Sequence, residues 1–375
     1  MKTVPLSPVL TELAQYPFTR LDEWKADARA RGIELIDFGM GDPREVTPAF
    51  IREALLASVD AVSSYPRATG LPELRTAISG WIERRFGVNV TGDEIVPTLG
   101  SKEAIFSFAQ VAGPGAVAIP EPAYPVYERG AMFAGRDVVT VPLREDNGWL
   151  PDLDAFDAWD ALALFWVCYP NNPTGAVASL DFYEELAERA RQHNFLVCSD
   201  EAYSELWFDE PPLSALQVAD RSRTVVFNTL SKRSSMTGYR SGFVCSPREI
   251  AEALRAFRPT VGTAPQEFVQ RASIAAWSDD GHVEDVRKLY RRKRETLLPA
   301  FEDAGFRLAG SSATFYLWLD ANGPSEEVAQ TLLERGIVVA PGSFFGPAGE
   351  GYIRVALVPT QAECEKAAAI VRSLR

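Results

Sequence analysis

Residues 224–245 read TVVFNTLSKRSSMTGYRSGFVC, in which two short apolar runs enclose a polar segment that carries Lys232 and Arg240. Apolar runs of this length are typical of buried β-strands. Four earlier runs share the pattern: 116–119, 137–141, 162–168 and 195–198. Amphipathic helical patterns fill much of the space between them, notably at 101–111 and 181–193. This alternation predicts an α/β fold with a mostly parallel sheet.

The pattern changes after residue 258. A charge-rich helical stretch, a strand-like run, a second helix and a last strand then follow one another: 281–304, 314–319, 325–335 and 352–358. We therefore predict a large domain over 45–260 and a smaller α+β domain built from 1–44 and 261–375.

Composition excludes several classes of function. The 375 residues carry a formal net charge of −13, which argues against a nucleic-acid partner, because phosphate backbones are bound by basic surfaces. No apolar run approaches the roughly 18 residues of a membrane span. The first twenty residues lack the apolar core of a signal peptide, so we expect a cytoplasmic protein. Four widely spaced cysteines and two histidines predict neither a disulfide framework nor a metal site.

Polar residues follow three consecutive strand-like runs. LALFWVC leads into YPNNPTG, FLVC into SDEAY, and TVVF into NTLSK. Because ligands bind beyond the carboxyl ends of strands in open α/β sheets, we expect these residues to converge on one edge. They are Asn172, Asp200, Tyr203 and Lys232. Each alone fits an ordinary turn or helix cap, but unrelated turns have no reason to supply an amide, a carboxylate, a phenol and an amine together.

This set of side chains fits pyridoxal phosphate. An amine can form a Schiff base, a carboxylate can keep a pyridine nitrogen protonated, and an amide and a phenol can hydrogen-bond a phenolate oxygen. Further groups near the lysine suit the phosphate: Ser101, Thr229, Ser231 and Arg240. Gly100 opens a helical stretch, so backbone N–H groups can also face that phosphate.

The whole chain resembles the class I/II aminotransferases of the aspartate aminotransferase superfamily. The motifs occur in the family's order: GMGDP at 39–43, YPRATGLPELR at 65–75, GSKEA at 100–104, PAYPVY at 122–127, NNPTG at 171–175, DEAY at 200–203, SKRSSMTGYRSG at 231–242 and IRVALV at 353–358. The resemblance implies fold-type I, with a mostly parallel, seven-stranded-type sheet between helices plus the smaller α+β domain. It also implies a homodimer with shared active sites, acting on amino-acid and 2-oxo-acid substrates.

The resemblance also implies roles for single residues. Lys232 would carry the cofactor as a Schiff base and move the proton at the substrate Cα, with Asp200 and Tyr203 completing the catalytic group. Asn172, Tyr203, Gly100, Ser101, Lys102, Thr229, Ser231 and Arg240 would hold the cofactor, Tyr124 would stack on its ring, and Tyr65 would reach the partner subunit's phosphate. Arg354 would bind the substrate α-carboxylate, helped by Asn172 and by the Gly39 backbone.

The finer resemblance is to succinyldiaminopimelate aminotransferases of bacterial lysine biosynthesis, carried by SKRSSMTGYRSGFV and by Arg233 directly after the lysine. It implies N-succinyl-LL-2,6-diaminopimelate and 2-oxoglutarate as substrates. A broad-specificity, aspartate or aromatic aminotransferase and a β-lyase on the same fold are the alternatives. Four cations near the motifs are candidates for the distal carboxylates: Arg20, Arg44, Arg67 and Lys102.

Overall fold

The computed structural model describes residue 4, residues 6–13 and residues 16–374. The outermost positions of the predicted smaller domain, residues 1–3, 5, 14, 15 and 375, lie outside this range. The described α-helices are α1 (Pro8–Glu12), α2 (Pro17–Ala30), α3 (Ala49–Leu56), α4 (Pro72–Phe86), α5 (Gly100–Phe108), α6 (Val126–Phe133), α7 (Leu180–His193), α8 (Leu230–Arg233), α9 (Arg248–Thr260), α10 (Glu267–Ser278), α11 (Gly281–Asp303), α12 (Ser325–Leu333) and α13 (Gln361–Arg372).

The strands form one large and two small sheets. They are β1 (Ile36–Asp37), β2 (Ile95–Thr98), β3 (Ala116–Glu121), β4 (Val138–Pro142), β5 (Leu162–Cys168), β6 (Leu196–Asp200), β7 (Thr224–Thr229), β8 (Gly242–Cys245), β9 (Arg307–Gly310), β10 (Tyr316–Asp320), β11 (Ile337–Val338), β12 (Ala340–Pro341) and β13 (Tyr352–Ala356). Seven of the described strands make the large sheet in the order β2-β8-β7-β6-β5-β3-β4, and only the pairs with β8 are antiparallel. The predicted α/β fold with a mostly parallel, seven-stranded sheet is confirmed.

The centre of the large sheet is buried on both faces. Every residue of β5, LALFWVC, is buried, as expected of a central strand in a parallel sheet. On one face Trp166 stacks on Tyr127 of α6, with ring centroids 4.9 Å apart. On the other face Phe165 stacks on Trp159, with centroids 5.8 Å apart. This two-sided packing fixes the ends of the central strands.

Strand β2 is the one member of the large sheet that the apolar runs did not predict. Its sequence, IVPT, contains Pro97, and proline within a run argues against a central strand. In the structure β2 lies at the edge of the sheet, where it pairs only with β8 among the described strands. Proline is compatible with an edge strand because one side of such a strand needs no ladder hydrogen bond.

The second, antiparallel sheet has the order β12-β13-β10-β9 and packs against α11 and α13. Its core is separate from that of the large sheet and includes Leu297, Phe301, Leu317 and Val355. Helix α10, by contrast, packs on the large side through Trp277, whose ring lies 4.6 Å from that of Trp81. The chain therefore passes to the second core after α10, and the division at residue 261 stays a prediction.

All four cysteines are free and buried. Cys168, Cys198 and Cys245 lie on strands of the large sheet, whereas Cys364 lies in the core of the second sheet. In the part of the chain that the structure describes, no helix is both long and apolar enough to span a membrane. The same residues contain no cluster of three or more histidine, cysteine or acidic side chains arranged for a metal ion.

Candidate active site

A cavity of about 320 Å³ opens between the carboxyl edge of the large sheet and strand β13 of the second sheet. Most of the predicted site residues line it: Ser101, Lys102, Tyr124, Asn172, Asp200, Tyr203, Thr229, Ser231, Lys232, Arg240 and Arg354. Gly100 and Gly39 lie behind this lining, against Arg240 and Arg354. Tyr65 lies outside the lining, with a fully exposed side chain. The fold thus brings together every predicted site residue except Tyr65.

Lys232 lies in α8, a single helical turn directly after β7. Thr229 caps this turn, because its hydroxyl oxygen accepts a hydrogen bond from the N–H of Ser231 at 3.2 Å. The Lys232 amine donates to the carbonyl oxygen of Gly41 at 2.6 Å. Burial lowers the pKa of this amine to about 8, while the Asp42 carboxylate opposes the shift. Lys232 is therefore partly a neutral amine near pH 8, as a nucleophile or a base requires.

Asp200 ends strand β6 and is 4% exposed. The hydroxyl of Tyr127 donates to Asp200 Oδ2 at 2.8 Å, and the N–H of Ala202 donates to Oδ1 at 3.2 Å. Burial raises the pKa of this carboxyl to about 6, although both hydrogen bonds favour the ionised form. Asp200 is thus an anion at neutral pH that a cationic partner would stabilise further.

The start of helix α5 faces the same cavity. Gly100 has a φ of 73°, a left-handed conformation that favours glycine, and a Cβ atom there would lie 2.5 Å from Arg240 Nη2. The guanidinium is held by the carbonyl oxygen of Leu99, which accepts from Nη2 at 3.2 Å. Ser101, in the first turn of α5, lines the cavity beside it. A helix N-terminus and a guanidinium together form a recess suited to a phosphate.

Arg354 lies on β13, where its neighbours Ile353 and Val355 point into the second core. Its Nη1 donates to Asn172 Oδ1 at 2.8 Å, and its Nη2 donates to the carbonyl oxygen of Gly39 at 2.8 Å. Its Nε is buried without a hydrogen-bond partner among the described residues. A guanidinium oriented in this way and still able to donate is suited to a carboxylate.

Gly39 acts on Arg354 rather than directly on the space for substrate. Its N–H is occupied, because it donates to Asp37 Oδ1 at 2.9 Å. Asp37 in turn accepts from the buried Lys25 amine at 3.1 Å. The Gly39 backbone thus contacts the guanidinium through its carbonyl oxygen, and its part in substrate binding stays a prediction.

Sequence reasoning missed three tyrosines of the cavity region. Tyr316 lines the cavity and its hydroxyl lies 2.7 Å from that of Tyr203. Tyr127 reaches Asp200 from below the lining, and Tyr16 lines the cavity near its rim. The second tyrosine of PAYPVY and the tyrosine of TFYLWL were the available signals. Both lie in apolar contexts that also suit an ordinary core tyrosine.

The four cations proposed for the distal carboxylates differ in whether they reach the cavity. Arg20 pairs with Glu326 at 2.6 Å on the surface, Arg44 lies 4.0 Å from Glu363, and Arg67 is exposed outside the lining. Only Lys102 among these four lines the cavity. Partial burial lowers the pKa of Lys102, and Arg240 and Arg129 lower it further. The Lys102 amine lies 5.6 Å from the ring centre of Tyr16 and 5.9 Å from that of Tyr124, two other residues of the lining, so it can contact an anion bound in the cavity.

The cavity fits pyridoxal phosphate by the chemistry of its donors. The Lys232 amine suits the aldehyde, the Asp200 carboxylate suits the pyridine nitrogen, and the recess at Gly100 suits the phosphate. The hydroxyls of Thr229 and Ser231, 2.9 Å apart, lie on the lysine side of the same lining. The groups that the aldehyde, the pyridine nitrogen and the phosphate each require are therefore all present around one cavity.

Comparison with known proteins gives a consistent picture. Residues 33–371 match the family described as aminotransferase class I and II. The chain is 36% identical over 388 aligned positions to the LL-diaminopimelate aminotransferase of Nitratidesulfovibrio vulgaris, with 100% of both chains covered. The corresponding enzyme of Dehalococcoides mccartyi is 39% identical over 375 positions, with 96% of both covered. The crystal structure of an aminotransferase from Neisseria meningitidis superposes with a TM-score of 0.90 at 37% identity, over 99% of this chain and 100% of that one.

Proposed function

The chain belongs to the aminotransferase class I and II family, and on this premise we propose that it moves the amino group of LL-2,6-diaminopimelate to 2-oxoglutarate. Members of the family depend on pyridoxal phosphate, and the chain is a transaminase of that kind. The observation that carries the proposal is the Arg354 guanidinium, which faces the same cavity as the Lys232 amine and the Asp200 carboxylate. An α-amino acid needs all three groups.

Pyridoxal phosphate, when bound, would supply the electron-withdrawing ring that makes the proton on the substrate Cα acidic. Lys232 would take the proton from Cα, since its lowered pKa leaves part of the amine neutral at physiological pH. Asp200 would keep the ring nitrogen protonated by charge pairing, and Tyr127 would keep Asp200 ionised and oriented. Tyr203, whose hydroxyl lies 2.7 Å from that of Tyr316, would hydrogen-bond the phenolate oxygen of the cofactor.

The remaining residues would bind and orient. Asn172 and the Gly39 carbonyl hold the Arg354 guanidinium in one orientation, so the α-carboxylate would bind in one orientation too. Tyr124 would cover one face of the cofactor ring and exclude water. The group around the phosphate would be Gly100, Ser101, Thr229, Ser231 and Arg240, with Lys102 at its margin.

The choice of amino donor rests on the relatives and on one cation. The relatives from Nitratidesulfovibrio vulgaris and Dehalococcoides mccartyi are both named for LL-diaminopimelate, and neither name supports the predicted N-succinyl derivative. LL-2,6-diaminopimelate has a distal carboxylate, and Lys102 is the candidate cation that lines the cavity. The succinylated substrate, a broader amino-acid range and β-lyase activity are the competing outcomes.

A panel of amino donors with 2-oxoglutarate tests the proposal. Ranked by kcat/KM, the panel should contain LL-2,6-diaminopimelate, its N-succinyl derivative, aspartate, an aromatic amino acid and a cysteine conjugate. LL-2,6-diaminopimelate should rank first, and glutamate should work in the reverse half-reaction. A first rank for the succinyl compound would restore the finer sequence prediction, and release of pyruvate from the cysteine conjugate would indicate a lyase.

A homodimer with shared sites is part of the proposal. The segment 56–65, which ends at the first residue of the YPRATGLPELR motif, exposes an apolar side chain at every third position: Leu56, Val59, Val62 and Tyr65. Exposed apolar patches of this kind favour a protein partner. If Tyr65 completes the partner's site, then mixing inactive Lys232→Ala dimers with impaired Tyr65→Ala dimers should restore activity after subunits exchange. No recovery despite proven exchange would remove Tyr65 from the shared site.

The cytoplasmic location remains a prediction. It is supported by four buried cysteines without a disulfide, as is usual in reducing compartments.

A further inference from the structure

The three residues after Lys232 contact two of the segments through which the chain passes between its two cores. We call the segment from β1 to α3 the first passage and the segment from α10 to α11 the second. The carbonyl oxygen of Ser235 accepts from the Thr47 hydroxyl of the first passage at 2.6 Å. Arg233 and Ser234 contact the second passage, residues 279–282. The lysine turn thus touches both passages.

Arg233 is 1% exposed, which is unusual for a guanidinium. Its Nη1 donates to the carbonyl oxygen of Ala276 at 2.8 Å, and its Nη2 donates to Asp280 Oδ1 at 3.3 Å. Its guanidinium also lies 4.8 Å from the ring centre of Trp277 and 3.7 Å from Glu205. Arg233 therefore anchors the lysine turn to the end of α10.

Ser234 continues the contact into α11. Its fully buried hydroxyl lies 2.9 Å from His282 Nε2, and His282 Nδ1 lies 2.6 Å from Asp279 Oδ1. The His282 ring also contacts Phe50 of α3, with centroids 5.5 Å apart. His282 is the second residue of α11, the helix that packs beneath the second sheet. This chain of contacts links the lysine turn to the body that carries Arg354.

The order hydroxyl, imidazole and carboxylate also occurs in hydrolases, where the hydroxyl attacks a substrate. Ser234 is 0% exposed, so no substrate can reach it. The arrangement therefore positions a residue instead of supplying a nucleophile. Ser235 follows with a φ of 50°, a left-handed conformation that side chains rarely adopt, which indicates that the contacts impose this turn.

We propose that Ser234, through His282 and Asp279, is a positioning residue that fixes Lys232 relative to the carboxylate held by Arg354. This link acts together with the Asn172 hydrogen bond to Arg354 at 2.8 Å, which joins the two halves of the site within the cavity. The inference rests on the proposed function, because only proton transfer at the Cα of a carboxylate-bound substrate requires that distance. Misplacement by about 1 Å can cost a large factor in rate.

The test compares a matched pair at one position. Ser234→Val removes the hydroxyl and Ser234→Thr keeps it, with the same added bulk. In the cofactor-loaded enzyme, Ser234→Val should lower kcat about tenfold with KM changed little, and Ser234→Thr should recover most of the loss. Ser234→Val should also shift the pH midpoint of the visible absorbance of the bound cofactor. Equal kcat and equal midpoints in the two variants would overturn the inference.

Two further variants keep the result interpretable. Ser273→Ala removes another buried hydroxyl, which bonds Ser241 at 2.7 Å within the large side, and should lower the melting temperature without lowering kcat. His282→Leu should reproduce the Ser234→Val effect even if the valine variant fails to fold. The combined Ser234→Val and His282→Leu protein should be no slower than either alone, and multiplying losses would contradict a single link. An unmodified protein that transaminates no donor would instead refute the proposed function.

Discussion

The two ends of the cavity are built in opposite ways. At the lysine end, Lys232, Thr229, Ser231 and Arg240 come from one short stretch, and Asp200 comes from the strand beside it. At the carboxylate end, Arg354 is held by Gly39 and Asn172, which are 315 and 182 residues away in the chain.

The lysine end and the carboxylate end of the cavity are held in place by different contacts, so substitutions at the two ends should have different effects. The lysine end depends on neighbouring strand ends, on the contacts that anchor the lysine turn and on charges buried by the sheet, so its substitutions should change chemistry. The carboxylate end depends on the docking of two cores, so its substitutions should change binding and orientation.

The largest effect is expected from Lys232→Ala. Removing the amine should lower kcat/KM about 10⁴-fold or more, because the same group is nucleophile and base. The cofactor should still bind through its phosphate and Asp200. In the unmodified protein, borohydride reduction followed by peptide mapping should place the adduct on Lys232. An adduct on any other lysine would overturn the assignment.

Asp200→Asn should follow, with a loss in kcat of about 10²–10³-fold, because a neutral amide cannot stabilise a protonated ring nitrogen. Substrate KM should change far less. Stopped-flow measurement of Cα proton removal, with a deuterated substrate as control, locates the step. An unchanged rate of Cα proton removal in Asp200→Asn would show that the negative charge of Asp200 does not contribute to catalysis.

The same substitution should stabilise the cofactor-free protein in a pH-dependent way. Burial raises the pKa of Asp200 from 3.8 to about 6, so the native state favours the protonated form. The stability this carboxyl contributes is present below pH 4 and is lost as pH rises through 6. The free energy of unfolding of Asp200→Asn should therefore exceed that of the unmodified protein above pH 6, by about 3 kcal/mol at most. If the free energies of unfolding of the two proteins changed in parallel between pH 4 and pH 6, the prediction would be wrong.

Arg354→Lys should show the contrasting behaviour. A lysine keeps the charge but loses the paired donors, so KM should rise for every amino acid, at a cost of about 2 kcal/mol. The pH midpoint of the bound cofactor's absorbance should stay close to that of the unmodified protein. A fall in kcat with unchanged KM would mean that the two ends are not separable.

Lys102→Met should give the smallest and most selective effect. It should lower kcat/KM for LL-2,6-diaminopimelate about fivefold more than for an amino acid without a distal carboxylate, because the loss is one solvent-accessible charge contact. Arg20→Met is the matched control, since Arg20 pairs with Glu326 outside the cavity. Equal selectivity in both variants would remove Lys102 from the distal site.

Sequence reasoning succeeded at the lysine end for a physical reason. Asp200 ends a buried strand, Asn172 and Lys232 lie shortly after the ends of two others, and parallel strands deliver their carboxyl ends to one edge. Arg354 was identified through the family resemblance, and its place between two buried strand neighbours, Ile353 and Val355, agrees with a side chain that faces the cavity. In these cases secondary structure alone determines where the side chain points.

It failed where the destination of a side chain depends on tertiary contacts. Arg20 and Arg44 lie near the motifs in sequence, but they pair with Glu326 and Glu363 outside the cavity. Tyr127 looked like a core tyrosine, and only the packing of α6 on the sheet brings its hydroxyl to Asp200. Strand β2 was missed because Pro97 masks an edge strand.

The buried cysteines are distributed so that the rate of thiol modification can be measured separately for each half of the molecule. A thiol reagent can reach Cys198 only when the large sheet opens, and Cys364 only when the second core opens. Their relative modification rates under mild denaturant therefore report which half opens first. Cys168 lines the cavity, so its protection reports occupancy at the same time. Thiol modification of the unaltered chain can thus distinguish local opening of one core, loss of the bound ligand and global unfolding.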